Sequence, residues 1–166
     1  METEPGALLE AHYRHLWATR VHDMPFVNPA LDVEAVGFRR HDGDWLGVMI
    51  TPWFLNLFLI CGGGALWGDI PAGQRRYVDL PCGTLQFLAD VDPDLGPYQY
   101  CPLIAPVSVL PDMATARQAA LEALATVLAP PPEVPADTSV KSQAAVDENP
   151  KPVSRRKFLS TLVGRR

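Results

Sequence analysis

The side chains of this 166-residue chain best suited to redox or metal chemistry are its three cysteines, Cys61, Cys82 and Cys101. They lie about twenty residues apart and include no Cys-x-x-Cys pair, so their spacing predicts neither a disulfide framework nor a zinc or iron-sulfur site. Cys82 and Cys101 could act as redox or metal-relay thiols, but a free cysteine is more often a small buried hydrophobic residue. We therefore expect reduced thiols in a cytoplasmic protein.

Three of the four histidines fall close together near the start of the chain, at His12, His15 and His22. Their spacing on a helix makes a metal-binding face conceivable. Metal sites need further ligands and a second shell of orienting groups, however, and the neighbouring Tyr13 and Trp17 favour histidines that flank a packed stripe. We expect no metal on this face.

An aspartate-rich stretch, Asp90-Val-Asp92-Pro-Asp94-Leu-Gly96, resembles the start of an EF-hand loop. Its glycine falls at position 7 rather than 6, and position 12 is Cys101 where a glutamate is required. The stretch therefore predicts a hairpin turn. The chain also contains neither Gly-x-Ser-x-Gly nor His-Glu-x-x-His, so we expect no catalytic residue, no cofactor and no enzyme activity.

The elements that position these residues follow from hydrophobic patterning. Residues 6–22 have apolar side chains at helical spacing and predict an amphipathic helix. Residues 33–39 alternate as a strand, and the Asp-Gly turn that follows predicts a hairpin with residues 45–60. The apolar run Gly47–Ile60 is too short and too interrupted for a membrane helix and predicts one buried core strand, with a bulge or change of partner at Pro52.

The second half of the chain adds strands over residues 76–80, 84–91 and 98–109 and a helix over residues 113–129, capped by Asp112. Prolines within the strand-like stretches remove ladder hydrogen bonds, which favours short antiparallel strands. The sequence thus predicts an α+β fold, with a mainly antiparallel, bulged sheet packed by an N-terminal and a C-terminal helix. Its 48% hydrophobic content suffices for a single core.

The chain divides further by composition and charge. We predict one domain over residues 1–129, a disordered Pro/Ala-rich linker over 130–153 and a basic amphipathic tail over 154–166. Residues 1–153 hold 9 Lys+Arg against 19 Asp+Glu, whereas residues 154–166 hold five basic residues and no acidic one. An acidic body repels phosphate, which argues against nucleic-acid binding.

Several short motifs together resemble one protein family. They are Ile50–Asn56, reading Ile-Thr-Pro-Trp-Phe-Leu-Asn after a Trp-x-Gly; Leu80–Phe87, similar to Leu-Pro-x-Gly-Thr-x-x-Phe; Tyr100–Pro106, similar to Cys-x-Leu-x-Ser-Pro but with Ala105 in place of the usual serine; and the basic ending Arg155–Arg166. The chain resembles the HybE-type family of nickel-iron hydrogenase assembly chaperones. This resemblance implies an accessory protein that binds the small-subunit precursor of an uptake hydrogenase before export. The large subunit and other maturation proteins are further candidate partners.

The residues we expect to contact this client are Trp53 and Phe54, with Asp42, Asp44 and Asp69 beside them. Rigid aromatic anchors carry much of the binding energy at protein interfaces. An apolar groove rimmed with acid would suit a signal peptide, which is basic and then apolar. These five residues are the predicted client-binding site.

The tail carries a signal-like motif of its own, made by Ser154, Arg155, Arg156, Phe158 and Leu159. It matches the core of a twin-arginine export signal but lies at the C-terminus, so we do not expect it to direct export. Three roles remain open: docking on the acidic body, mimicry of the client's signal as the resemblance implies, and contact with a membrane surface. A peripheral membrane adaptor and a thiol- or metal-handling maturation protein are therefore the alternative functions.

Overall fold

The computed structural model describes residues 1–133. Six strands form one antiparallel sheet in the order β1-β2-β3-β6-β5-β4. Their bounds are β1 Glu34–His41, β2 Asp44–Ile50, β3 Leu55–Ile60, β4 Arg75–Leu80, β5 Gly83–Asp92 and β6 Gly96–Ile104. The register shifts in the β1–β2 and β3–β6 pairs. The predicted α+β class with bulged antiparallel strands is confirmed.

A helix packs on each face of this sheet. Helix α1 spans Gly6–Leu16 and continues into a π-helical turn, Trp17–Val21. Helix α2 spans Met113–Leu128 and begins at Asp112, whose Oδ1 accepts a hydrogen bond from the Thr115 amide at 2.7 Å. An N-terminal aspartate of this kind satisfies one of the free amides of the first turn, so the predicted cap is confirmed.

The alternation of side chains along each strand produces two separate cores. On the α2 face, residues such as Leu46, Val48 and Leu57 pack beneath the alanines and leucines of the helix. On the α1 face, Met49 and Phe58 pack beneath the helix. Strands β2 and β3 are covered on both faces and have no exposed residue, which explains why their sequences are apolar apart from Asp44 and Asn56.

The prediction of one strand through Gly47–Ile60 was wrong. Strand β2 ends at Ile50, and a tight turn leads into β3, which runs back beside it. The Thr51 hydroxyl accepts hydrogen bonds from the amides of Trp53 and Phe54, at 3.2 and 2.9 Å. Pro52 fits the turn because it has no amide to contribute to a ladder. An apolar sequence on both sides of the turn concealed it.

The predicted linker falls almost entirely outside the described residues, and the basic tail with its signal-like motif falls wholly outside them. No helix among residues 1–133 is long and apolar enough to cross a lipid bilayer.

Candidate functional site

Seven aromatic rings form a connected cluster on the α1 face of the sheet. They are Tyr13, Trp17, Trp53, Phe54, Phe58, Tyr98 and Tyr100. Tyr13 lies at the centre and meets Phe54 and Phe58 edge-on, with ring centroids 5.2 and 6.1 Å apart. Edge-to-face pairs at these distances stabilise a fixed arrangement of the rings. The cluster is therefore a rigid part of the fold.

One side of this cluster reaches the surface, and we call Trp17, Trp53 and Phe54 the aromatic patch. All three side chains are partly buried. The indoles of Trp17 and Trp53 stack almost parallel, with centroids 6.0 Å apart and an interplanar angle of 12°. The π-helical turn supplies the first indole and the Thr51 turn supplies the second. A flat, partly exposed aromatic surface carried by these two turns is suited to binding an apolar partner.

A neighbouring loop extends the apolar character of this region. The Asn28 amide donates a hydrogen bond to the Pro52 carbonyl at 2.6 Å, which ties the loop to the turn that carries Trp53. The Asn28 side chain is buried and donates to the carbonyls of Val107 and Leu110. The loop exposes two large apolar side chains, Met24 at 40% and Phe26 at 60%.

The hydroxyl groups of two tyrosines in the cluster, Tyr13 and Tyr98, interact with each other and with Asp90 in a partly buried position. The Tyr98 hydroxyl donates a hydrogen bond to Asp90 Oδ2 at 3.1 Å. Burial, together with the negative charge of Asp90, raises the pKa of Tyr98 well above its ordinary value. Burial and the contact with Tyr98 likewise raise the pKa of Tyr13. Both tyrosines are therefore neutral hydrogen-bonding groups at physiological pH.

The predicted acidic residues lie away from the aromatic patch. The turn of Asp42 and Asp44 joins β1 to β2, at the end of the β2–β3 hairpin opposite Trp53. The seven residues of strand β2 separate the two ends, a length of about 20 Å. The structure brings Trp53 and Phe54 together but does not place them beside Asp42 and Asp44, so the expectation of one groove with acid around aromatic anchors needs correction.

The Asp44 side chain is enclosed by the protein and does not lie at its surface. Its carboxylate is fully buried and accepts the amides of Gly62 at 2.8 Å, Gly64 at 3.0 Å and Trp67 at 2.8 Å. Burial alone would raise the pKa of this carboxyl, but the three amides outweigh burial and hold the pKa below its ordinary value. Asp44 therefore fixes the glycine-rich loop and is not accessible to a partner.

The other two predicted acids are exposed. Asp42 is at the tip of its turn with a φ of 47°. Asp69 accepts a hydrogen bond from the Trp67 indole at 2.7 Å. Both remain available for contact with a partner, although at some distance from the aromatic patch.

Two of the three cysteines, Cys82 and Cys101, lie in or against the apolar core. Cys101 is buried in the α2-face core, and Cys82 is partly buried against it. Burial raises the pKa of the Cys82 thiol. A raised pKa lowers the thiolate fraction and with it the reactivity of the thiol. This environment favours the structural interpretation of both residues.

Sequence reasoning did not include Tyr13 and Trp17 among the site residues. The signal was present, because residues four apart lie on the same face of a helix. What the sequence could not supply was the second partner, since only the folded sheet brings Trp53 against Trp17.

Comparison with known proteins identifies the family. A family model described as NiFe-hydrogenase assembly, chaperone, HybE matches residues 4–161. The chain is 35% identical over 162 residues to the hydrogenase expression/formation protein HupJ of Bradyrhizobium diazoefficiens, covering 97% of this chain and 90% of that protein. It is 38% identical over 95 residues to the probable rubredoxin HupJ of Rhodobacter capsulatus, covering 57% of this chain but only 34% of that protein.

A solved structure shares the fold. The solution structure of HybE from Escherichia coli aligns with a TM-score of 0.63 and 24% identity, covering 90% of this chain and 94% of that one. The fold and the near-complete family match agree with the motifs around Pro52 and Cys82. The chain therefore belongs to the HybE family of nickel-iron hydrogenase assembly chaperones.

Proposed function

We propose that this protein binds the small-subunit precursor of a nickel-iron hydrogenase in the cytoplasm, before export, and that the aromatic patch is its main contact surface. The action is reversible binding without catalysis. The observation that carries the proposal is the stacked, partly exposed pair Trp17 and Trp53 in a member of a hydrogenase assembly chaperone family. Relatives named as hydrogenase expression/formation proteins support the role in assembly.

An assembly chaperone needs a surface that binds apolar segments of its client. An incompletely folded client exposes apolar segments, and these bind best to rigid aromatic side chains that lose little conformational entropy. Trp17 and Trp53 are held by each other, by Tyr13 and by the Thr51 turn, so their rotamers are already restricted before binding. The exposed Met24 and Phe26 offer further apolar area on the adjoining loop.

A twin-arginine signal is the proposed client segment because it combines a basic start with an apolar run. The acidic side chains Asp42 and Asp69 would attract the basic part at longer range, where the net charge of the body matters. The motif at residues 154–159 imitates such a signal and would compete for the same surface.

The test is titration calorimetry of the purified chain against the small-subunit precursor, with and without its signal peptide. Trp53→Ala should weaken binding by about thirtyfold, the effect of losing an interfacial residue worth about 2 kcal/mol. Trp67→Ala is the matched control, because Trp67 is also a partly buried tryptophan but lies at the other end of the hairpin. Urea denaturation of both variants checks that the fold is retained.

The titrations with and without the signal peptide, and with the truncated chain, distinguish between modes of client binding. Binding that requires the signal and tightens when the chain is cut after Val153 supports an export-signal chaperone with a self-blocking tail. Binding without the signal would place the contact on the client's folded body. Equal binding by Trp53→Ala and Trp67→Ala would rule out the aromatic patch as the contact surface. If the chain binds neither form of the precursor, the small subunit is not the client, and the same titration is then made with the large subunit.

A further inference from the structure

Two motifs that were each incomplete in the sequence meet in the fold. His12 on helix α1 points at the turn between β5 and β6, where Asp92 and Asp94 lie. His12 Nε2 is 3.1 Å from Asp92 Oδ2, and His12 Nδ1 is 3.7 Å from Asp94 Oδ2. One ligand atom from each of the three residues lies within 4.8 Å of the others.

The imidazole nitrogen at the centre of this group has no hydrogen bond. The His12 side chain is only 9% exposed, and its Nε2 is buried without a hydrogen-bond partner despite the short distance to Asp92. Asp92 Oδ2 is within ion-pair distance of this nitrogen but forms no hydrogen bond with it. A buried polar atom without a partner costs roughly 1–3 kcal/mol. The contact with Asp92 therefore leaves the hydrogen-bonding capacity of this nitrogen unused.

A metal ion would satisfy it with little rearrangement. When metal–nitrogen and metal–oxygen bonds are about 2.0–2.2 Å long and meet at angles near 95–110°, two neighbouring ligand atoms lie about 3.0–3.5 Å apart. The lone pair of each ligand atom then points at the metal and not at the other ligand atom. The Nε2–Oδ2 distance of 3.1 Å falls in this range. Asp94 Oδ2 lies beside the other ring nitrogen, 3.7 Å from Nδ1, so the Asp94 side chain, which is 82% exposed, has to shift towards Nε2 to bind the same ion.

The turn also presents Asp92 in a suitable orientation. Asp92 Oδ1 accepts the amides of Asp94 at 2.8 Å and Leu95 at 3.2 Å, which leaves Oδ2 facing His12. Leu95 packs against the α1-face core and so holds the turn beside the helix. The exposed Asp94 leaves one side of the group open to solvent, through which an ion and its water ligands can enter.

We propose that His12, Asp92 and Asp94 form a binding site for one divalent first-row transition-metal ion, completed by water. One imidazole and two carboxylates suit ions such as Zn²⁺, whereas Mg²⁺ and Ca²⁺ prefer oxygen ligands alone. The bound ion would link helix α1 to the β5–β6 turn. Tyr13 and Trp17 follow His12 on the same helix, so the ion would also steady the helix that carries part of the aromatic patch. The site does not depend on the identity of the client.

The test uses the untagged, full-length chain after treatment with a chelator, titrated with Zn²⁺ by calorimetry. We expect one ion per chain. Asp94→Asn should weaken binding by at least about tenfold, and because this side chain is exposed the variant should keep its fold. His12→Ala and Asp92→Asn should do the same. His15→Ala is the matched control, since His15 is exposed on the same helix outside the group, and its affinity should stay within about twofold of wild type.

A second readout locates the ion directly. Nitrogen-15 NMR of the imidazole rings should show a Zn²⁺-dependent shift at His12 and none at His15, His22 or His41. Three results would overturn the proposal: no Zn²⁺ binding to the wild-type chain, equal affinity of Asp94→Asn and wild type, or imidazole shifts confined to the other histidines. The first of these would mean that His12 and Asp92 form a simple ion pair.

Discussion

Replacement of Asp44 by alanine removes the acceptor of three partly buried amides at once. Each hydrogen bond from an amide to a charged group contributes about 1.5–3 kcal/mol, and such contributions are not fully additive within one cluster. We therefore expect Asp44→Ala to lower the free energy of unfolding by about 3–6 kcal/mol. A domain of this size has about 5–15 kcal/mol in total, so the variant should be close to unfolding.

The loop that Asp44 holds packs closely against the β1–β2 turn. A side-chain carbon at Gly64 would lie 2.1 Å from the Asp42 carbonyl oxygen, and one at Gly62 would lie 2.4 Å from the Gly43 carbonyl oxygen. The loop backbone is thus pressed against the β1–β2 turn. Without the carboxylate, the amides of Gly62, Gly64 and Trp67 lose their hydrogen-bond acceptor.

Urea denaturation followed by tryptophan fluorescence measures this effect, because Trp67 reports on the same loop. Asp44→Asn keeps one oxygen acceptor and should lose about half as much stability as Asp44→Ala, since its amide group faces the Trp67 amide. Asp42→Asn is the control: that side chain is exposed, asparagine tolerates its positive φ, and stability should change by less than about 0.5 kcal/mol. A loss below about 1 kcal/mol in Asp44→Ala would refute the reasoning.

The pH dependence gives an independent check on Asp44. Its pKa is lower in the folded than in the unfolded chain, so the carboxylate stabilises the fold fully above the unfolded value of about 3.9. This contribution is lost as the pH falls below that value toward the folded pKa. The stability difference between wild type and Asp44→Asn should therefore shrink below about pH 4, and a difference that stays constant there would contradict the assignment.

Two further predictions concern the α1 face. Burial raises the pKa values of Tyr13 and Tyr98, so their neutral hydroxyls stabilise the fold fully below about pH 10, and this contribution is lost as the pH rises above that value. Ultraviolet titration should therefore show fewer ionised tyrosines in the native chain than in urea. Coincident titration curves would contradict this prediction. Gly47→Ala would place a methyl carbon 2.4–2.7 Å from three ring carbons of Phe38. We expect a loss of about 1–3 kcal/mol in urea denaturation, partly restored by adding Phe38→Leu; no loss would show that the ring moves freely.

Much of the fold could be predicted because it follows from local pattern. The stripe of helix α2, its Asp112 cap and the turn between β4 and β5 are all determined by residues close in sequence. The Pro52 turn was missed because β2 and β3 are buried on both faces, so neither alternates and no polar interval marks the turn. Thr51 was the remaining signal, since threonine hydroxyls often close such turns.

The candidate site was less predictable because its residues meet only through tertiary packing. Trp53 and Phe54 could be selected as aromatic residues beside a proline, but their partner Trp17 comes from a helix more than thirty residues earlier. Asp44 looks like any acidic turn residue in the sequence, and only the returning loop reveals that it is enclosed. Burial of a charged side chain depends on distant segments that a local reading does not include.

The pairing of His12 with Asp92 shows how the fold can bring together two motifs that are each incomplete in the sequence. The helix with histidines lacked further ligands in the sequence, and the aspartate-rich turn lacked the glutamate of an EF-hand, so neither forms a complete site by itself. Packing of helix α1 on the sheet places the ligand that each one lacked within 3.1 Å of the other. The same packing aligns Tyr13 and Trp17 with the turn of Trp53. An ion that links His12 to the β5–β6 turn would therefore act on the helix that completes the aromatic patch, and metal binding and client binding would be coupled through the position of that single helix.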